Sequence, residues 1–397
     1  MARELHRAGI ATDSLEETLG GVATAIGLEV QIFALPTNIT IALGPQSHQR
    51  LIMLRLAPSA VNLRRIGLLN EVYDDVLAGR LDYRQASQLL AGIDRRVAGK
   101  PPLLRVFALA LVAIGVAIVL GAGIRELVVA ALIGAATGSI AAVAAGSTVV
   151  SRLFEVIAAF CATLIVAGFT TLFGPTNIYI SIVAGVVVLL PGYSLTLALH
   201  ELANQELVAG TARLGKVFST LLALGCGALL GFAAAGPALL RVGDVRPHPV
   251  AATFWFVAVI VMSVGLSIDL DARLRDFVWV FAASFVAFAT SHLFGLLPIH
   301  GIGAFAAAFV CGTVANLGAR FLRVPQPVML VPALLVLVPG SLSYESVLFA
   351  FQQNINSALI FAANAVTAAI LLVAGLLLSQ LVFPSMPLRG SQAPTRS

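Results

Sequence analysis

The chain has 397 residues, 59% hydrophobic and only 11% charged, with mean hydropathy +0.98. Soluble domains run at about 25% charged, so the composition excludes an ordinary soluble protein and points to a membrane. The net charge of +5 calls for no nucleic-acid partner, because no basic-aromatic stripe accompanies it and the cations flank apolar segments.

In chain order, MARELHRAGIATDSLEETLG lacks an apolar h-region and a small-residue cleavage site, so the start is not read as a signal peptide and is expected to stay in the cytoplasm. Residues 1–100 read as a soluble α+β domain. Residues 15–26 carry helical apolar spacing, and 29–34 and 38–43 alternate as strands around Pro36-Thr37-Asn38. A third strand is expected at 50–56. Pro58-Ser59 opens a helix through Leu77, Gly79 ends it, and Asp82 caps another through about Val97.

Beyond residue 100 the texture turns apolar. Ten segments stand out, at 103–123, 127–149, 156–174, 178–198, 214–234, 251–268, 277–297, 300–318, 328–345 and 358–383. Most reach the roughly 17–25 residues that span hydrocarbon as a helix. Pro191-Gly192 recurs as Pro339-Gly340, and 339 − 191 = 148. The same offset lays most of the early segments on later ones, and ISIVAGVVVLLPG falls on VMLVPALLVLVPG without gaps. The expected architecture is therefore an α-helical polytopic membrane protein. Two five-helix repeats cover 101–248 and 249–385, with a disordered tail at 386–397. Five is odd, so the second repeat inserts with inverted topology, the plan of many secondary transporters.

Charge supports an orientation. With the head inside, thirteen cations face it (Arg95, Arg96, Lys100, Arg105, Arg152, Arg213, Lys216, Arg273, Arg275, Arg320, Arg323, Arg389 and Arg396) against Arg125, Arg241 and Arg246 outside. Ten spans return the carboxyl terminus to the cytoplasm.

A Pro-Gly pair inside an apolar run breaks a helix, and the freed backbone groups are tolerated only where protein or a watery cavity satisfies them. Small hydroxylated residues follow each pair. The candidate substrate site is Pro191, Gly192, Tyr193, Ser194 and Thr196, with Pro339, Gly340, Ser341, Ser343 and Tyr344. Its half-helix N-termini would hold a carboxylate. The plainer account is a proline kink with hydroxyls bonded to their own helix. Glu345 and Glu201 are the ion-coupling candidates, since acids within membrane segments often relay protons. Glu201, with Glu206, also reads as a solvated member of an amphipathic loop helix, HELANQELVAG. His292 and His300 read as interfacial.

The glycine pairs Gly134/Gly138 and Gly227/Gly231 allow close helix approach, and Asn177, Asn316 and Asn364 read as polar glue between helices. Cys161, Cys226 and Cys311 lie far apart in apolar runs, with no CxxC or Cys/His spacing, so they read as small apolar fillers. No cofactor or metal is expected.

These stretches resemble the bacterial threonine/serine exporters. The likeness is carried by TLGGVATAIGLEVQIFALPTNITIAL (18–43), VNLRRIGLLNEVYDDVLAGRLDYRQASQLL (61–90), LLPGYSLTLALHELANQELVAGTARLGKVF (189–218) and LLVLVPGSLSYES (334–346). It covers about residues 10–385. The resemblance implies export of small hydroxy amino acids across a bacterial cytoplasmic (inner) membrane, driven by an ion gradient such as protons. The partners expected are a small amino acid, the coupling ion, the lipid bilayer and a second copy of the chain. Of the site residues, the resemblance carries over only the matching Pro-Gly positions.

Two other classes stay open on residues alone. A membrane enzyme would need chemistry in the head, which has no GxSxG, HExxH, CxxC or GxxxxGK motif. A passive channel would share the helices without the coupling.

Overall fold

A computed structural model describes all residues except 46, 57–59, 98, 237–253, 300, 338, 352–353 and 385–397. The head opens with α1 (Ala2–Arg7) and α2 (Thr12–Ala25). Strands β1 (Val30–Leu35), β2 (Asn38–Leu43) and β3 (Arg50–Arg55) form one antiparallel sheet in that order. Leu35 pairs with Asn38, so Pro36-Thr37 is the two-residue turn that the sequence announces. One sheet face buries Ala34 and Ile39 in a core with Leu15, Leu63, Ile66, Leu69 and Ile93.

Helix α3 (Leu63–Leu77) starts later than expected, because Asn62 caps it by accepting from the Arg65 amide at 2.8 Å. Pro58-Ser59 lie outside the described residues. Asp82 caps α4 (Tyr83–Ala91) in a reciprocal box with Gln85 (2.7 and 3.1 Å). The short α5 (Ile93–Arg96) closes the head.

The body follows with α6 (Pro102–Val119), α7 (Ile124–Ala144), the short α8 (Thr148–Arg152), α9 (Phe154–Phe173), α10 (Ile178–Gly185), α11 (Gly192–Ala203) and α12 (Leu207–Ala235). Then come α13 (Phe254–Asp269), α14 (Phe277–Gly295), α15 (Ile302–Leu317), α16 (Gln326–Leu337), α17 (Pro339–Phe351) and α18 (Ile355–Val382). Among the described residues, eight runs are long and apolar enough to cross a membrane, and α10 with Val187–Ala203 makes a ninth if that bent pair is one span. With sixteen residues, α13 is shorter. The helix lengths thus give eight or nine spans among the described residues, and the residues just before α13 lie outside them. The predicted tail and Arg241, Arg246, Arg389, Arg396 and His300 lie outside the described residues.

Glycines set the closest packing. A Cβ on Gly134 would lie 2.6 Å from Leu109 O, and one on Gly138 2.6 Å from Val106 Cα, so both face α6. Gly227 and Gly231 face α9 in the same way, against Val156 and Thr163. Where α6 crosses α13, Gly115 meets Ala258 and Met262, and Gly265 meets Ala108 and Val112. With little hydrophobic drive between helices in lipid, such close approach is what holds them together. Asn316 acts as expected: its Nδ2 donates to Phe383 O (2.9 Å), and its Oδ1 accepts from Gln326 (2.8 Å). Asn177 instead caps α10, accepting from the Ile180 amide at 3.0 Å.

The head is fastened to one end of the body. Leu63 N donates to Leu270 O (2.8 Å), and Asn62 Nδ2 donates to Asp271 (3.2 Å). Arg64 pairs with Asp271 (3.3 Å), Arg273 with Glu71 (2.8 Å), and Arg275 also reaches Glu71. Lys100 Nζ donates to Asp269 O (2.8 Å) and to Ile268 O at the end of α13. These ties mark the head side: α6 leaves it and α13 returns to it.

Candidate functional site

The first Pro-Gly joint is a true break. Residues 187–189 form a 3-10 turn, Leu190 is extended (φ −67°, ψ 127°), and α11 restarts at Gly192 behind Pro191. The two parts meet at 60°. Proline has no N–H to give the preceding turn and its ring crowds it, so the helix ends here. Gly192 N turns back to Leu190 O (2.9 Å), and Leu195 N takes Pro191 O (2.8 Å). The Thr196 hydroxyl donates to Gly192 O at 3.1 Å, so its hydrogen serves its own helix, as the plainer account holds.

The second joint differs. Pro339 and Gly340 begin α17, but the run Gln326–Ala350 counts as one span, and α10 with Val187–Ala203 is the sole described pair bent by more than 40°. A second break of more than 40° is not found among the described residues, and residue 338, at the joint itself, lies outside them. Pro332 is accommodated inside α16, which shows that this helix tolerates a missing donor without a sharp bend.

The two joints nevertheless meet. A Cβ built on Gly340 would lie 2.8 Å from Gly192 N, 3.0 Å from Gly192 Cα and 3.1 Å from Leu190 Cβ. Only glycine lets the two backbones come this close. Around the contact, Ser341, Ser343 and Tyr344 are buried, while Pro191, Tyr193, Ser194 and Glu345 are half-buried. The Tyr344 ring is fully enclosed and its hydroxyl finds no hydrogen-bond partner. An unsatisfied buried hydroxyl costs about 1–3 kcal/mol. Glu345 makes no hydrogen bond or ion pair among the described residues.

Two cavities flank the crossing. One, enclosing about 780 Å³ of empty space with open solvent included, lies on the head side. It reaches Tyr193, Thr196 and His200 of α11, Gln326 and Leu334 of α16, and Ser379 and Gln380 of α18, and the head supplies Gly9, Ile10, Ala11, Ser14, Val61 and Ile66. The other, of about 1080 Å³ counted likewise, lies at the far end. It is lined by Val119 and Leu120 at the end of α6, Trp255 at the start of α13, Phe288, Ser291 and His292 of α14, and Ser341 of α17. There His292 packs edge-on against Trp255 (4.4 Å) and stacks with Phe288 (6.0 Å).

The structure relocates Glu201. It is not solvated, and HELANQELVAG is no separate loop helix: His200 and Glu201 end α11, Gln205 turns with φ +66°, and Glu206 sits at the start of α12. Glu201 is fully buried and accepts from Arg213 Nε (2.9 Å) and Nη2 (2.7 Å) and from the Thr12 hydroxyl (2.9 Å). A fork of two parallel bonds fixes the guanidinium plane. The sequence reading took Arg213 only as an inner-face cation and did not single out Thr12, although a tight turn after α11 does bring the next helix's cations back to its acids. Glu126 was also missed: it is buried, accepting from Gly123 N (3.0 Å) and Asn177 N (2.9 Å), and so ties α7 to α10. Cys311 is buried as expected, but Cys226 is exposed on the helix surface.

Apolar spans, a small docked head and cavities at both ends of a helix crossing define a multi-pass helical membrane protein. The chain belongs to the threonine/serine exporter family. Residues 1–235 match the family described as "Putative threonine/serine exporter", and residues 251–382 match the one described as "Threonine/Serine exporter, ThrE". Among curated proteins it is similar to "Pheromone-regulated membrane protein 10" of Zygosaccharomyces rouxii, 23% identical over 90% of this chain and 37% of that protein. The Saccharomyces cerevisiae protein of the same name is 24% identical over 90% of this chain and 47% of its own length. An uncharacterized Schizosaccharomyces pombe protein is 25% identical over 87% and 47%. The chain thus spans less than half the length of these relatives. No solved structure matches it. The relatives are yeast proteins, and this overturns the expected bacterial inner membrane; the multi-pass membrane location stands.

Proposed function

We propose that the protein is a secondary exporter of small amino acids of the threonine/serine class, working by alternating access around the Gly192–Gly340 crossing. One observation carries this reading: the Gly192–Gly340 crossing is flanked by two cavities, one lined by head-side residues and the other by residues at the far ends of the helices. A solute passing between them must displace the crossing, and a contact of glycine on glycine is easily re-formed after it moves. The carboxylate is assigned to the start of α11, where helix N–H groups lack partners inside their own helix. Ser341, Ser343 and Tyr344 offer hydroxyls from the facing helix.

Inverted repeats are favoured by matching neighbours. Helix α7 packs on α6, α9 and α10, as α14 packs on α13, α15 and α16. Helix α12 packs on α9 and α11, as α18 packs on α15 and α17. Across the halves the pairs are reciprocal: α11 with α18 and α17 with α12, α11 with α16 and α17 with α10. Such reciprocity is expected of ten spans related by a two-fold axis, with α13 as a short sixth span, and of a division into residues 1–100, 101–248 and 249–385.

Glu345 is assigned the coupling ion, a proton, because it is an acid without an ion pair among the described residues, one residue beyond the buried hydroxyl of Tyr344. Glu201 is assigned a structural pairing with Arg213 instead. The deciding experiment is efflux of labelled serine, threonine and a panel of other amino acids from cells with and without the protein, before and after an uncoupler. Uphill efflux that stops on uncoupling supports an exporter. Flux that only follows the gradient identifies a channel and ends this reading.

A further inference from the structure

The head closes one side of the head-side cavity, and it is held there in two places of different kind. Gly9, Ile10 and Ala11, in the turn from α1 into α2, face the same space as Leu197 of α11 and Leu330 of α16. On one rim the ties run to a single stretch of the body. Leu63 N donates to Leu270 O, Asn62 and Arg64 hold the Asp271 carboxylate, and Glu71 receives Arg273 and Arg275. Lys100 Nζ reaches Ile268 O and Asp269 O. This stretch begins at the end of α13, and α13 is set against α6 by the close approach at Gly115 and Gly265. The chain itself enters α6 just after Lys100. Head, α6 and α13 therefore share one anchorage, built of backbone carbonyls, ion pairs and a covalent link.

The other rim is formed by α11 and α12, to which the head has no covalent link. There the Thr12 hydroxyl donates to Glu201 at 2.9 Å, with both residues buried. Arg213 of α12 clamps the same carboxylate at 2.7 and 2.9 Å, so the acceptor is fixed in place. A hydroxyl bonded to a charged acceptor away from water is strong and directional. Breaking this bond separates no ion pair, because Glu201 keeps Arg213 when Thr12 leaves. Glu201 also lies nine residues beyond Gly192 (201 − 192 = 9) on the helix that restarts after the break, about 14 Å along its axis. The first rim is thus built to stay, and the second is built to part.

We propose that the head is a hinged lid on the head-side cavity, pivoting at the ends of α6 and α13 and latched shut by Thr12 on Glu201. A tilt of α11 about its broken start carries Glu201 away from the α6–α13 anchorage, so the lid opens with the bent helix. The inference concerns access to the cavity, goes beyond the exporter reading and does not rest on it, because thiol labelling rather than transport decides it.

The test uses the purified full-length chain in lipid nanodiscs, with Cys161, Cys226 and Cys311 each replaced by Ala and one reporter added. Leu330→Cys reports on the head-side cavity and Ser291→Cys on the far one. The probe is a membrane-impermeant maleimide, and the labelling rate is followed by mass. With Thr12 in place, Leu330→Cys is expected to label at least tenfold more slowly than in the denatured chain. Thr12→Val is expected to raise that rate tenfold or more, the change that about 1.4 kcal/mol gives. Thr12→Ser, which keeps the hydroxyl, should hold it low. Glu71→Gln, on the hinge, should change the rate less than threefold, because its ion pairs are half-exposed and the other ties remain. Ser291→Cys should label at one rate throughout. Should Thr12→Val misfold, Glu201→Met with Arg213→Met removes the latch from the body side without leaving a lone charge. An unchanged rate at Leu330→Cys in the folded, unlatched variants overturns the lid, as does fast labelling with the latch intact. Equal acceleration at Ser291→Cys, or in Glu71→Gln, shows a general loosening and overturns it too. Serine efflux is a separate measurement, so the exporter reading stands or falls apart from this one.

Discussion

Gly340 packs directly on Gly192, so close that a methyl group on Gly340 would lie 2.8 Å from the Gly192 nitrogen. Real side-chain carbons do not approach a backbone atom to that distance, and the obstacle here is a backbone rather than a flexible tip. Gly340→Ala must therefore push α17 away from α11, at a cost of about 1–3 kcal/mol by the measure of overpacked cores. The expected outcome is membrane insertion at wild-type level and a serine efflux rate at least tenfold lower. Gly340→Leu should abolish efflux. Efflux unchanged in Gly340→Leu, with insertion confirmed by protease mapping, would show that the crossing is not on the path.

The Glu201–Arg213 pair predicts a different kind of failure. Both charges are withdrawn from water, Glu201 completely. Deleting one partner leaves the other buried and unpaired, which costs about 3–5 kcal/mol. Glu201→Gln and Arg213→Met should each lower the thermal midpoint of the whole protein. The double change Glu201→Met with Arg213→Met should recover much of the loss, since no orphaned charge remains. Thr12→Val should cost less, about 1–3 kcal/mol for one lost bond. Midpoints that fall additively in the double variant would mean the pair contributes nothing by pairing.

Within the head, Asp94 gives a pH dependence. The hydrogen bond from Arg65 (2.8 Å) holds its carboxyl below the ordinary carboxylate value, helped by the charges of Arg65 and Arg7, against a smaller opposing effect of burial. A depressed folded-state value stabilises the head above the unfolded carboxylate's titration and loses that stabilisation as pH falls through the folded value. Because Asp94 is 57% exposed, the effect is small, about 0.5 kcal/mol after solvent screening. Asp94→Asn should therefore lower head stability slightly at neutral pH. Below the usual carboxylate range it should match the wild type. Thermal midpoints followed from pH 7 to pH 3 (roughly the span over which an Asp titrates) decide it.

Sequence and structure agree best where local chemistry decides the outcome. The turn at Pro36-Thr37, the Asp82 cap and the glycine pairs of α7 and α12 were all legible, because each depends on neighbours within one or two turns. The apolar run 178–198 was legible as a membrane segment, and its Pro-Gly as a break. What stayed hidden was long-range. That Glu201 would be buried depends on Thr12, 189 residues away, and no periodicity reports such a distance. The second Pro-Gly looked identical to the first in sequence, yet among the described residues the 60° bend is found at the first. At the first joint Val187–Leu189 tightens to a 3-10 helix and Leu190 extends; residue 338, just before the second, lies outside the described residues.

Glu345 carries the last prediction. It follows Tyr344, whose enclosed hydroxyl has no partner, and it is a half-buried acid with no cation bonded to it among the described residues. An acid so placed in a membrane segment can hold a proton without competing against a fixed counter-charge, which is what a carrier of protons needs. If Glu345 binds the coupling proton, Glu345→Gln mimics the loaded state permanently. Exchange of serine between equal pools on the two sides should then continue, while efflux against a gradient stops and becomes indifferent to an imposed pH difference. A purely structural role would behave otherwise: exchange and uphill efflux would fall together, in step with the amount of folded protein. Counterflow and uphill efflux measured on the same proteoliposomes separate the two, and retention of uphill efflux in Glu345→Gln would move the coupling site elsewhere.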